Sequence, residues 1–289
     1  MGRGYGAQSM IAPLKRVMVR RPDEAFAGAD PKVWHYSGRP NLEKARHEHE
    51  ELVRLLQSAG AEVLFHDSPL PELADAIYTF DPALVTDRGA ILLRMGKELR
   101  RGEEGALAEA LRKAGVPIIE SLYPPAKAEG GDLLWIDRET LAVGVGFRTN
   151  MEGVRQLSQI LIDDGIRVLP VELPYHTGPK SCLHLLSLIS IVDQGLAVVY
   201  QPLLAAPFWQ LLKDLRFELI LVPEEEFATM GPNVLALSPG RCVMLESNPV
   251  TQGRLEEAGC KVVAYKGNEI SLKAEGGPTC LTRPILREY

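Results

Sequence analysis

One unit recurs along this chain, and repetition at that scale restricts the fold more tightly than any single motif. Each copy reads as an apolar strand, a tight turn, a second strand, an amphipathic helix closed by glycine, and a returning strand. Four copies follow one another. Their leading strands begin near Ala83, Leu133, Leu185 and Val234, with turn-forming residues at 87–89, 137–140, 193–195 and 239–241. Helical spacing comes next. Ala106, Leu107, Ala110, Leu111 and Ala114 form one stripe, and Val154, Leu157, Ile160 and Leu161 another. Leu211, Leu212 and Leu215 mark a third helix, and Asn248 before Pro249 is a capped start for the fourth. Gly115, Gly165 and Gly259 stand where helices are expected to end. Returning strands follow at 116–119, 166–171, 218–222 and 261–264.

The fifth copy is divided between the ends of the chain. Residues 16–19 supply one strand, and Leu42, Ala45, His49, Leu52 and Leu56 supply a helix stopped at Gly60, with a returning strand at 62–65. The missing leading strand is then 281–286, which pairs the C-terminus with the N-terminal strand. Five such units close into a ring, and closure removes the exposed edges that an open array of strands must protect.

A quasi-fivefold ring brings the residues just before each leading strand to one central cavity. These are Asp81, the run Glu129, Gly130, Gly131 and Asp132, then His184, Asn233 and Cys280. An internal echo supports the alignment: Lys-Ala-Glu-Gly-Gly occurs at 127–131 and again at 273–277. Each residue also has an ordinary reading. Asp81 precedes Pro82 and opens a turn, Asn233 caps a strand, and the paired glycines supply positive φ in a polar loop. His184 lies in an apolar run, where a histidine is usually a hydrogen-bonded core residue, and Cys280 reads equally as nucleophile or loop cysteine. Their shared place in the unit is what points to chemistry.

The chain has 289 residues, 46% of them hydrophobic, enough for a large core, and the ring implies one domain spanning 1–289. A net charge of −6 offers nucleic acid no general attraction. No apolar run reaches the length of a membrane span and the N-terminus lacks a signal-peptide pattern, so the cytoplasm is expected. Cys182, Cys242, Cys260 and Cys280 form no Cys-x-x-Cys pair, so neither disulfides nor a zinc site are expected. Cys242 and Cys260 fall inside apolar strands and read as core residues. The stretches 1–13 and 22–40 lack periodicity and read as loops over the site.

The ordered set of motifs resembles a known family. Residues 78–85, the Arg100-Arg101-Gly102-Glu103 run, residues 129–132 and 146–150, His184 and the Gly-Gly-x-x-Cys ending at Cys280 are similar to the guanidino-group-modifying superfamily, the penteins. Order and spacing are closest to the dimethylargininase branch, over nearly the whole chain. The resemblance implies an α/β fold, the five-bladed α/β propeller, in agreement with the unit count. It implies a thiolate of Cys280 that attacks the guanidinium carbon and an imidazole of His184 that protonates the departing amine and later activates water, with Glu129 as the third catalytic group. Asp81, Asp75, Arg100, Arg148, Phe80 and Asp132 are the implied substrate-binding residues, Arg100 and Arg148 gripping an α-carboxylate. No metal or organic cofactor is implied, and the expected partner is a small guanidino substrate, with a homodimer left open.

A guanidinium is a planar cation with a poorly electrophilic carbon, so acids must pair its charge and a strong nucleophile must face it. Two departures narrow the reading. Phe80 stands where the branch carries an acid, and Leu186 stands where arginine deiminases and amidinotransferases have an aspartate two residues after histidine. The expectation is therefore a hydrolase acting on arginine or a methylated arginine, releasing citrulline and an amine or ammonia. An arginine dihydrolase and an amidinotransferase are the alternatives among enzymes. A binding propeller like archaeal and eukaryotic initiation factor six is the alternative outside them.

Overall fold

The computed structural model describes residues 4–179 and 182–288. In chain order it runs β1 (Leu14–Val19), α1 (Glu24–Gly28), α2 (Pro31–Trp34), α3 (Leu42–Ser58), β2 (Glu62–Phe65), β3 (Ala83–Val85), β4 (Ala90–Leu92), α4 (Glu103–Lys113) and β5 (Ile118–Ser121). It continues with β6 (Leu133–Asp137), β7 (Thr140–Val145), α5 (Met151–Leu161), β8 (Arg167–Glu172), β9 (Ile189–Asp193), β10 (Leu196–Val199), α6 (Ala206–Asp214) and β11 (Glu218–Leu221). Last come α7 (Glu224–Phe227), β12 (Leu235–Ser238), β13 (Arg241–Leu245), α8 (Pro249–Glu257), β14 (Lys261–Tyr265) and β15 (Arg283–Arg287).

These strands form five three-stranded sheets in a mixed α/β fold. In each, an antiparallel pair is extended by a parallel third strand: β3-β4-β5, β6-β7-β8, β9-β10-β11, β12-β13-β14 and β15-β1-β2. Parallel neighbours cannot be joined by a tight turn, so a helix carries the chain across, α4, α5, α6, α8 and α3 respectively. The terminal strands share a sheet, with Met18 opposite Arg283 and Leu14 opposite Arg287. The middle strand of a sheet is covered on both faces; all four residues of β10 are buried, which is why these strands read as unbroken apolar runs.

Four crossover helices end as the sequence implies. Gly60, Gly115, Gly165 and Gly259 have φ of 92°, 82°, 72° and 90°, the left-handed conformation that carries no penalty without a Cβ. The α6 unit has no glycine at that point, and Arg216 takes the same conformation at φ 63°. Two strands begin later than their apolar runs suggest. Residues 185–187 form a single helical turn capped by His184, so β9 starts at Ile189, and β15 starts at Arg283 rather than 281. The reason for the first is Asp132, whose Oδ1 accepts from Leu185 N at 3.0 Å and holds that backbone away from a strand ladder.

The approaches to the leading strands are bonded one to the next. Phe80 N donates to Cys280 O (3.2 Å), Gly130 N to Asp81 O (2.9 Å), and Leu185 N to Asp132 Oδ1. Val234 N donates to Ser190 Oγ (3.1 Å), and Thr279 N to Asn233 Oδ1 (3.1 Å), which returns the series to its start. Buried arginines of β15 add ties to its neighbours: Arg283 Nη1 donates to Phe80 O at 2.8 Å and Arg287 Nη2 to Ala236 O at 2.8 Å. Buried carbonyls and amides must find partners. Here those partners join separate sheets, and all five approaches are thereby held at one end of the molecule. No helix among the described residues is long and apolar enough to cross a membrane.

Candidate active site

Cys280, His184, Asp81, Asp75, Arg100 and Arg148 line one cleft, together with Trp34, His35, Tyr78, Lys97, Cys182 and Glu275. The lining residues come from separate stretches of the chain, 34–35, 75–100, 148, 182–184 and 274–280, and the approaches to three leading strands bring Asp81, His184 and Cys280 among them.

The imidazole of His184 is fixed from both sides. Nε2 donates to Glu129 Oε2 at 2.7 Å, and Nδ1 lies 3.5 Å from Cys182 Sγ. Glu129 is fully buried; its Oε1 accepts from Lys97 N at 2.8 Å, and Arg148 Nη1 approaches Oε2 at 3.4 Å. Burial alone raises a carboxyl pKa, yet the bond from His184 and the Arg148 charge outweigh it and hold Glu129 well below the usual carboxylate range. Burial likewise opposes an imidazolium, but Cys182, Asp132 and Glu129 prevail and His184 is pushed well above an ordinary histidine. These neighbours favour the protonated form of the imidazole.

Asp132 stands one layer behind. It does not reach the cleft: Thr149 Oγ1 donates to Oδ2 at 2.6 Å and Leu185 N to Oδ1, so this carboxylate sets the backbone that presents His184. Burial pushes Asp132 up to about 6. The glycine pair before it serves close approach rather than positive φ. A Cβ on Gly131 would overlap the His184 ring, and one on Gly130 would overlap Phe80 O. The echo at 276–277 works the same way, Gly276 making room for Tyr78 and Gly277 for Asn233.

The thiol side is held more lightly. Cys280 is partly exposed and receives one bond from Asn233 Nδ2 at 3.4 Å. Desolvation first, then Asp81 and Cys182, push its thiol up to about 12 despite the nearby imidazolium. Ionising it costs roughly 4 kcal/mol more than for an ordinary cysteine. A cation entering the cleft would supply that stabilisation.

Of the three acids that line the cleft, Asp81 and Asp75 each have a resident cation. Arg100 Nη1 meets Asp81 Oδ2 at 2.5 Å, while its Nε and Nη2 bond Glu103 at 3.0 and 2.7 Å. Arg100 also donates to Tyr78 O, and Gly131 N donates to Asp81 Oδ1 at 2.8 Å. Although Arg100 borders the cleft, its guanidinium is committed to orienting Asp81, which departs from the α-carboxylate grip expected of it. Asp75 is paired with Lys97 Nζ at 2.6 Å and accepts from Tyr36 OH at 2.7 Å.

Phe80 departs from the sequence-based expectation. It is buried in the core beneath the Arg283 guanidinium, 3.9 Å from its ring centroid, and does not line the cleft. Residues 79–82 form a turn before β3, and within it Asp81 takes the cleft side while Phe80 faces the core. The sequence reading missed Lys97, Cys182, Tyr36 and Glu275. Trp34 and His35 fall within the 22–40 stretch read as a loop over the site; part of that stretch is in fact helical, α1 and α2 being capped by Asp23 and Asp30. Among the described residues no group of three His, Cys, Asp or Glu side chains could hold a metal ion.

Comparisons with known proteins agree with this geometry. The chain is 30% identical over 282 residues to an N(G),N(G)-dimethylarginine dimethylaminohydrolase of Streptomyces coelicolor, covering 96% of this chain and 99% of that protein. It is 26% identical to the protein of the same name from Pseudomonas aeruginosa, over 93% and 98% of the two chains. A solved structure of the Pseudomonas aeruginosa enzyme, a variant in complex with citrulline, superposes with a TM-score of 0.79 at 26% identity, covering 96% of this chain and all of that one. A family model described as N,N dimethylarginine dimethylhydrolase, eukaryotic, matches residues 23–287. On that match, and on the five-sheet fold, the chain belongs to the dimethylarginine dimethylhydrolase family of the pentein superfamily.

Proposed function

We propose that this protein hydrolyses the guanidino group of arginine or an N-methylated arginine, releasing citrulline and an amine or ammonia. The observation that carries the proposal is the meeting of Cys280 and His184 in one cleft, with Glu129 buried behind the imidazole and Asp81 beside the thiol. The names and activity of the relatives support the same substrate class. The five sheets are read as the blades of a single catalytic domain, a five-bladed α/β propeller, on the strength of the hydrogen bonds that link successive strand approaches back to the first.

In this reading the substrate cation enters beside Asp81, and its charge offsets the cost of a thiolate at Cys280. The thiol proton passes to solvent as the sulfur adds to the guanidinium carbon; a C–N bond then breaks, and the His184 imidazolium gives its Nδ1 proton to the departing nitrogen. The neutral imidazole then takes one proton from water as the water attacks the thiouronium carbon, and the C–S bond breaks as the adduct's hydroxyl proton goes to sulfur, which restores thiol and imidazolium and leaves citrulline. Glu129 steadies the imidazolium throughout, and Arg148 receives the α-carboxylate. Hydrolysis is favoured over amidino transfer because Leu186 stands in place of the second acid after histidine.

The deciding measurement is incubation with arginine, monomethylarginine, dimethylarginine and citrulline, followed by mass spectrometry of products. Citrulline from any of the first three is expected. Ornithine as end product would move the assignment to a dihydrolase, and no turnover of any of them would refute the substrate class.

A further inference from the structure

The two aspartates of the cleft differ in how firmly their resident cations are held. Arg100 is 3% exposed and fixed by Asp81, Glu103 and two backbone carbonyls. It cannot leave Asp81 without abandoning a second buried carboxylate. Lys97 holds Asp75 by a single 2.6 Å contact from an unbranched chain, and its other partner is the carbonyl of Trp34 at 3.0 Å. Its ammonium also lies 4.9 Å from the Trp34 ring centroid, at the helical cover of the cleft. The backbone of Lys97 is anchored separately from its side chain: its amide bonds Glu129, and Gly96 packs so closely on the Arg148 backbone that a Cβ there would overlap it.

We propose that Lys97 is a specificity-determining residue that reads the zwitterionic α-amino-acid end of the substrate by exchanging ion pairs with it. The inference rests on the reading of the cleft as a guanidino-substrate site. In the free protein Asp75 needs a cation because its side chain is only 7% exposed, and Lys97 supplies one. An incoming α-ammonium takes over Asp75 Oδ2 while Tyr36 keeps Oδ1. Lys97 is then the charge without a partner, and the α-carboxylate, attached to the same carbon as the ammonium, arrives within its reach. One internal pair becomes two intermolecular pairs, and no buried charge is left uncompensated.

The exchange works only for a ligand with both charges. A decarboxylated analogue such as agmatine displaces Lys97 and leaves its ammonium unpaired in a largely buried place. A deaminated analogue such as 5-guanidinopentanoate leaves the Lys97–Asp75 pair closed and gains nothing from it. Sites whose polar groups go unpaired reject such analogues strongly.

The test compares the wild type with Lys97→Met, Lys97→Arg and the double variant Lys97→Met/Asp75→Asn, which removes both charges and so keeps the buried region neutral. Steady-state rates are measured for the best guanidino amino acid, agmatine and 5-guanidinopentanoate. Binding of the same three ligands is measured by calorimetry in a Cys280→Ser background. Lys97→Met is expected to raise KM for the amino acid about tenfold or more, with kcat changed less than about threefold, and to reduce its preference over agmatine at least about tenfold. Lys97→Arg should retain most of the preference, and the double variant should lose it while remaining folded by circular dichroism. An unchanged preference in Lys97→Met and in the double variant overturns the proposal, as does a fall in kcat with KM unaltered. Discriminating binding without turnover would sink the hydrolase reading and leave the role of Lys97 standing. No binding of any of the three ligands would sink both.

Discussion

The two halves of the reaction centre are built to opposite rules. On one side the imidazole of His184 is held between Glu129 and Cys182, backed by Asp132 and Thr149, in surroundings that favour its protonated form. On the other side the thiol of Cys280 has one weak partner, Asn233, and is kept neutral by desolvation and by Asp81. In the proposed mechanism the acid is thus ready before substrate arrives, whereas the nucleophile is made by the substrate's own charge. Such a division protects the thiol from reacting with whatever electrophile enters an empty cleft.

The largest effect should come from removing the nucleophile. Cys280→Ser is expected to lower kcat by roughly 10⁴ or more while ligand binding by calorimetry survives; residual turnover near the wild-type rate would remove Cys280 from the mechanism. His184→Asn should cost about 10² to 10⁴ in kcat. Glu129→Gln should cost less and should shift the alkaline limb of the pH profile of kcat/KM to lower pH, because the imidazolium loses a supporting charge. A pH profile that does not move would mean Glu129 is only a packing residue.

The contrast between the halves can be sharpened by alkylation. A neutral haloacetamide should modify Cys280 slowly at pH 7 and faster as pH rises toward about 12, whereas a cationic haloacetamidine should react at least about tenfold faster at pH 7. Equal rates for the two reagents would show that the cleft does not use a bound cation to ionise the thiol. Cys242, buried inside β13 and also pushed up by burial, is the internal control and should remain unmodified.

Stability should report the same asymmetry. His184 is raised on folding, so its contribution is complete below the ordinary histidine value and is lost as pH climbs through its elevated one. Glu129 is depressed, so its contribution is present above the ordinary glutamate value and fades only as pH falls through the depressed one. Denaturant unfolding should therefore show an alkaline loss of stability that is smaller in His184→Asn; an unchanged alkaline slope in that variant would contradict the assignment. The smallest effect is expected for Asn233→Ala, which removes the bonds to Thr279 N and Cys280 Sγ and should cost about 1 to 2 kcal/mol by chemical denaturation.

Much of this design was legible in the amino-acid order. Glycine-terminated helices, two-strand hairpins and the split unit at the termini gave the five sheets, because those signals act over a few residues. The shared position of Asp81, Glu129, His184, Asn233 and Cys280 then followed from superposing the units; Asp81, His184 and Cys280 line the cleft, while Glu129 and Asn233 bond His184 and Cys280 from behind it. What local pattern could not decide was which side chains face each other between sheets. Asp132 fixes the turn at Leu185, Arg100 is spent on Asp81 and Glu103, Phe80 turns into the core beneath Arg283, and Lys97 reaches Asp75. Each depends on a contact between residues far apart in the chain, whose distance and burial exist only once the sheets have packed. The sequence determined the unit and its repetition, since propensity and periodicity are local properties. The tertiary structure decided charge and partnership, because desolvation and Coulomb energy depend on what a folded chain places within a few ångströms of a group.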